Sequence, residues 1–164
     1  MAAKVNPIPK GFHTVTSHLV IHDATKAIEF YQKAFGAKVL EVHNMPNGKV
    51  MHAAIKIGDT VMMLADEFPG APAASPHTLG RTTDVLHIYT KDSDAFFNRA
   101  VEAGASVVMP ITDMFWGDRY GQVKDPFGHM WAIATRKENL SKAELAKRSA
   151  AAFAEMAKAA QAKP

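Results

Sequence analysis

The sequence predicts an α+β fold built from two tandem βαβββ modules, followed by a C-terminal helix. Three observations carry this. Ser17-His18-Leu19-Val20-Ile21-His22-Asp23, a helical stretch and then Gly36-Ala37 recur as Leu86-His87-Ile88-Tyr89-Thr90-Lys91-Asp92, a helical stretch and then Gly104-Ala105. The His and Asp frames are offset by 69 residues, from 18 to 87 and from 23 to 92. Each half then alternates strand-like and helix-like patterning in the same order, and the chain ends on an Ala-rich segment that opens with a capping box. A duplicated unit generates two related halves with a cleft between them, so the expected site lies at their junction.

Val15 to Ile21 is alternating and β-branched, which predicts a strand, and Asp23 stands where a helix N-cap belongs. Ala24, Ala27, Ile28, Tyr31, Ala34 and Phe35 fall on one helical face, and Gly36 supplies the stop. Lys38 to Asn44 reads as a strand, Asn47-Gly48 as a hairpin turn and Val50 to Ile57 as the returning strand. Gly58-Asp59 turns into a further strand, Thr60 to Ala65. Residues 67–84 hold three prolines and two glycines without periodicity and form the expected linker. The second module repeats the first: strand Val85 to Thr90, cap Asp92, and a helix turning Phe96, Phe97, Ala100 and Val101 inward. A strand through Val107-Val108-Met109 and a loop follow, then strand Arg119 to Lys124. The Asp125-Pro126-Phe127-Gly128 turn leads into strand His129 to Ala134. The domain is thus expected over residues 1–137, with module one at about 12–66 and module two at 85–137. The tail, 138–164, begins with the capping box Ser141 to Glu144 and presents Leu145, Ser149, Ala152, Phe153 and Met156 on one face. That face is expected to pack on its own body or on a second subunit.

The chain has no cysteine among its 164 residues, so disulfides, thiolate metal sites and a Cys nucleophile are excluded. Its N-terminus lacks the apolar core of a signal peptide, and no apolar run is long enough to span a bilayer, so a cytoplasmic protein without a membrane partner is expected. The net charge of +3 is concentrated at one end: residues 136–164 carry seven basic and three acidic side chains, leaving the body slightly acidic. A nucleic-acid reader needs a basic stripe on its folded surface, and none is expected here.

Asp-Ala-Thr-Lys-Ala-Ile-Glu-Phe-Tyr-Gln-Lys-Ala-Phe-Gly-Ala, from Asp23, and Asp-Pro-Phe-Gly-His-Met-Trp, from Asp125, resemble the vicinal oxygen chelate superfamily. That group includes glyoxalase I, bleomycin-binding resistance proteins, fosfomycin-modifying enzymes and extradiol dioxygenases. Gly48 to Ala53, Ile57 to Asp66 and Phe115 to Gly121 look most like its PhnB-like, glyoxalase/bleomycin resistance-like branch. The resemblance covers roughly residues 12–137. It implies curled mixed sheets, commonly completed as a homodimer.

Metal-dependent members place a His on each module's first strand and usually a carboxylate on each last strand, a set that suits divalent ions. In this chain those places fall on Thr16, near Val85, on Met62 or Met63, and on Ala132, none of them a good ligand for a hard ion. No metal or other cofactor is therefore expected. His18 and His87 stand two residues along from the family's histidine places, on the same strand face. They define the alternative reading, a metal-assisted lyase or isomerase.

Phe115-Trp116-Gly117-Asp118-Arg119-Tyr120 combines rings, a hydroxyl and a guanidinium suited to holding a planar ligand, with Arg119 pairing a carboxylate or phosphate. The candidate ligand-binding residues are His18, His87, Trp116, Arg119, Tyr120 and Trp131; no catalytic residue is assigned. The leading expectation is metal-independent binding or sequestration of a small organic molecule in the cleft between the sheets, in the manner of the resistance proteins. A third reading is a non-catalytic interaction module whose cleft is filled by its own side chains.

Overall fold

The computed structural model describes residues 5–161, and within them the repeated sequence folds twice into one unit. The first half comprises β1 (His18–Ile21), α1 (Ala24–Phe35), β2 (Lys38–Asn44), β3 (Val50–Ile57) and β4 (Thr60–Asp66). A short helix, α2 (Pro76–Leu79), precedes the second half: β5 (Val85–Tyr89), α3 (Ser93–Glu102), β6 (Ser106–Asp113), β7 (Asp118–Lys124) and β8 (Met130–Arg136). The last element is α4 (Lys142–Gln161). The first four residues of the span expected at 1–137 and the last three of the tail lie outside the described residues.

The two sheets have the same order, β1-β4-β3-β2 and β5-β8-β7-β6, with the first strand of each half parallel to the last and the other pairs antiparallel. The fold is α+β with two mixed four-stranded sheets. Both main helices begin the same way: Asp23 accepts a hydrogen bond from Lys26 N (3.2 Å) and Asp92 from Ala95 N (3.0 Å), each satisfying a donor the helix leaves open. Gly36 ends α1 at φ +65°, a conformation that favours glycine.

Some boundaries differ from the sequence reading. The first strand starts at His18 rather than Val15, because its pairing with β4 begins at His18 opposite Met63, and Val15 is 87% exposed. Part of the linker is helical: Ser75 accepts from Thr78 N, Pro76 occupies the first turn and Gly80 closes at φ +71°. Four residues are too few to show a helical period. The second strand of the second half, β6, runs on through Pro110 to Asp113, which the sequence reading leaves as loop. It lies at a sheet edge with two register irregularities, where a residue lacking an N–H is tolerated.

The helix-bearing faces of both sheets share one core. The inward stripe of α1 is buried as expected, and it packs on the other half: Phe35 stacks on Phe96 (5.7 Å between centroids) and lies 4.5 Å from Trp131. Polar contacts cross the same boundary, from the Tyr31 hydroxyl to Asp125 Oδ2 (2.8 Å) and from Arg99 Nε to the Ala34 carbonyl (2.7 Å). Gly121 lets α3 approach β7, since a Cβ there would stand 2.9 Å from the Phe97 ring. No residue of α4 is buried, and no helix among the described residues is long and apolar enough to cross a membrane.

Candidate functional site

Side chains alternate along a strand, so the face of the second sheet turned away from the core collects every other residue. On β7 these are Asp118, Tyr120 and Gln122; on β5 they are His87 and Tyr89. Between them runs β8, where Ala132 is in register with His87 and Gln122, and Ala134 with Tyr89 and Tyr120. Two buried methyl groups therefore form a floor flanked by larger side chains.

The rings over this floor make a contiguous cluster. His87 lies 4.6 Å from Tyr89 and 5.8 Å from Tyr120, and Tyr120 lies 5.5 Å from Trp116. Asp118, itself buried, accepts from the Tyr89 hydroxyl (3.0 Å) and from Trp116 Nε1 (3.1 Å), which fixes both rings. The same hydrogen bond, more than burial, raises the Tyr89 pKa above the ordinary phenol value. Gln122 donates to the Tyr120 hydroxyl. Tyr89 remains 64% exposed, so the cluster offers an open aromatic surface edged by hydrogen-bonding groups.

The two sheets do not pair with each other, and cavities lie along the seam between them. One, of about 450 Å³, is lined from the first half by Ser17, Asp59, Thr60 and Met62 and from the second by His87, Tyr89, Phe96 and Trp131. That volume is in the range of small-molecule sites. A smaller cavity, of about 190 Å³, touches His18, Leu86 and His129 beneath the α2 segment. His129 is buried, and its Nε2 has no hydrogen-bond partner among the described residues.

On the first sheet, His18 stands edge to face with His52 at 6.3 Å, and Glu41 Oε1 lies 3.3 Å from His52 Nε2 and Oε2 3.6 Å from His43 Nε2. Partial burial, and secondarily the His52 charge, hold the His18 pKa below the ordinary imidazole value. The register neighbours of the two repeat histidines are apolar or soft: His18 is opposite the Met63 thioether and His87 opposite the Ala132 methyl. Neither neighbour supplies the oxygen that a hard divalent ion requires. Among the described residues, no group of three or more His, Asp or Glu side chains is placed to hold a metal ion. The set does not fit the metal-dependent arrangement.

The six candidate residues thus separate. His87, Tyr120 and Trp116 form one cluster, Trp131 shares the larger seam cavity with His87, and His18 belongs to the first sheet's imidazole group. Trp131 is 1% exposed and donates from Nε1 to Asp125 Oδ2 at 2.9 Å. Arg119 lies on the helix side of β7, where Nη2 and Nε bind the Asp94 carboxylate at 2.7 and 2.9 Å. Sequence reasoning missed Tyr89, Asp118, Gln122, His52 and Glu41 as neighbours of these groups. The signal for three of them was present: Tyr89 is two places from His87, and Asp118 and Gln122 are each two from Tyr120.

The family model for the Glyoxalase/Bleomycin resistance protein/Dioxygenase superfamily matches residues 11–133. An uncharacterized protein of Mycobacterium tuberculosis is 42% identical over 151 residues, covering 89% of this chain and 85% of the relative. The crystal structure of TioX from Micromonospora sp. ML1 is similar with a TM-score of 0.62 and 26% identity, over 76% of this chain and 98% of that one. A PhnB protein from Bacillus cereus, described as a putative 3-demethylubiquinone-9 3-methyltransferase, superposes with a TM-score of 0.61 at 16% identity, over 75% and 99% of the two chains. At that identity the likeness speaks to the fold alone.

Proposed function

The chain belongs to the glyoxalase/bleomycin resistance protein/dioxygenase superfamily, and from that premise we propose that it binds a small planar organic molecule, without a metal, at the seam between its sheets. The observation that carries this reading is the position of His87 and Tyr89, which belong at once to the wall of the 450 Å³ cavity and to the ring cluster with Tyr120. A flat ligand entering the cavity meets aromatic faces there, and its polar edge meets the His87 imidazole, the Tyr89 hydroxyl, Ser17 and Thr60. Aromatic contacts of this kind give affinity, and the few convergent polar groups give orientation. With Arg119 held by Asp94, the reading does not require a charged ligand. Should turnover accompany binding, His87 and the tyrosine hydroxyls are the groups able to move a proton.

The reading includes a homodimer. The edge strand β2 is exposed along its whole length, with Leu40 and Val42 solvent-accessible, and a second copy would cover such an edge.

A melting-temperature screen against neutral and anionic aromatic compounds tests the function. A ligand that binds only the folded chain stabilises it, by about 2.7 kcal/mol at a hundred times its Kd. The expected result is a compound that raises the melting temperature of the wild-type chain and loses that effect in His87→Ala and Tyr120→Ala. A panel in which none of the aromatic compounds stabilises the wild-type chain would overturn the reading.

A further inference from the structure

The family match ends at residue 133, yet the segment beyond it is fastened to the ring cluster. Phe153 of α4 meets Phe115 edge to face at 5.7 Å, and Phe115 meets Trp116 at 4.9 Å. A second attachment runs along the backbone. Gly117, at φ +94°, offers its carbonyl to the N–H groups of Lys137 (2.9 Å) and Glu138 (3.0 Å). A Cβ on Gly117 would stand 3.1 Å from the Glu138 Cβ, so the turn and this strand of chain are in close contact. Arg148 of α4 in turn grips Glu138 with two parallel hydrogen bonds of 2.9 Å and Glu144 with a third, also 2.9 Å. A forked guanidinium–carboxylate pair fixes orientation as well as distance.

We propose that α4 is a positioning element for the ligand site: Phe153 through Phe115, and Arg148 through Glu138 and Gly117, set the place of the Trp116 ring over the second sheet. This rests on the ligand-binding reading above. It also accounts for a helix that buries none of its own residues yet is fastened at two points to one turn. Trp116 then reports the state of α4 to Asp118 and Tyr120, which it contacts directly.

The chain has two tryptophans, so 5-fluorotryptophan labelling gives two fluorine resonances, assigned by Trp116→Phe. In the double variant Phe153→Ala/Arg148→Gln, the Trp116 resonance is expected to shift or broaden while the buried Trp131 resonance stays in place, and Phe153→Tyr alone is expected to keep the wild-type spectrum. An unmoved Trp116 resonance overturns the proposal; so does joint movement of both resonances with a fall in melting temperature, which marks a general effect on the fold. In a second arm, 2-naphthol is titrated. A Kd weaker by about three- to tenfold in the double variant is expected, the range an aromatic pair contributes, and an unchanged Kd overturns the role in binding. If 2-naphthol does not bind the wild-type chain, that result counts against the small-molecule reading, and the fluorine spectra alone decide the positioning role.

Discussion

Tyr31 on α1 donates its hydroxyl hydrogen bond to Asp125 Oδ2, 94 positions away in the turn before β8, at 2.8 Å. The same carboxylate accepts from Trp131 Nε1 and from the backbone N–H groups of Phe127 and His129, all at 2.9 Å. One buried group therefore shapes the second half's turn, fixes an indole in the core and joins the two halves. Its lone pairs are well used, which is what makes a buried carboxylate tolerable.

Removing the Tyr31 hydroxyl is expected to destabilise the fold. Tyr31→Phe takes away one donor of four and is expected to cost about 1–3 kcal/mol, whereas Asp125→Ala strands all four donors and is expected to cost more. Burial first, and the Asp125 charge second, push the Tyr31 phenol pKa well above its ordinary value. For a group raised in the folded state, the contribution is complete below the unfolded phenol's pKa of about 10 and is lost as pH climbs through the folded value. Denaturant melts of wild type and Tyr31→Phe should therefore converge on the alkaline side. A difference between the two chains that is constant from neutral pH to the onset of alkaline unfolding would show that burial and Asp125 together do not raise the phenol in this way.

Arg119 and Asp94 make the second case, because the pair decides on which side of β7 the guanidinium acts. Hydrogen bonding to Arg119 holds the Asp94 carboxyl below the usual range, and the same bonds raise the guanidinium's pKa further above its ordinary value. The stabilisation from a lowered carboxyl is present above its unfolded pKa and is lost as pH falls through the folded value. Arg119→Gln is expected to return the Asp94 titration, followed by carboxyl-carbon NMR, to the ordinary carboxylate range, with a small loss of stability at neutral pH. The same variant should bind any aromatic ligand as wild type does. A Kd weakened tenfold or more by Arg119→Gln would bring the guanidinium back into the ligand site.

The contrast between Arg119 and Tyr120 shows which part of the site could be read from sequence. The repeat, the two aspartate caps and the strand-turn-strand patterns are local, and each half obeys them, so the element order within each half was legible, while α2 between the halves was not. Grouping Trp116, Arg119 and Tyr120 on one side of the binding segment overlooked the parity of a strand. With β7 starting at Asp118, adjacent residues face opposite ways, so Tyr120 goes with Asp118, Gln122 and Trp116 while Arg119 turns to the helix side. The same parity separates Trp131 from Ala132. What no local rule supplies is the approach of the two halves. The stacking of Phe35 on Phe96, the Tyr31–Asp125 bond and the seam cavities arise only when α1 meets α3. The attachment of α4 to the turn before β7, through Phe153 on Phe115 and Arg148 on Glu138, was hidden for the same reason.

His18 supplies the last test, on the first sheet. Its imidazole is kept below the ordinary pKa first by partial burial and then by His52, whose ring stands 6.3 Å away and whose Nε2 lies 3.3 Å from Glu41 Oε1. Replacing His52 removes only the smaller of the two causes. His52→Gln is therefore expected to raise the His18 midpoint part of the way towards about 6.5, the ordinary histidine value, while burial keeps it lower. Proton–carbon NMR titration of the His18 ring follows this directly. The sign for stability follows from the same shift. With the folded pKa lowered, the unfolded chain takes up the proton first, so stability is held above the unfolded value and falls as pH drops through it. Wild type should lose stability between neutral and mildly acidic pH, and His52→Gln should lose less over that interval. A His18 midpoint at or above the ordinary value in the wild-type chain would mean that the ring is neither shielded by the sheet nor close to a second imidazole.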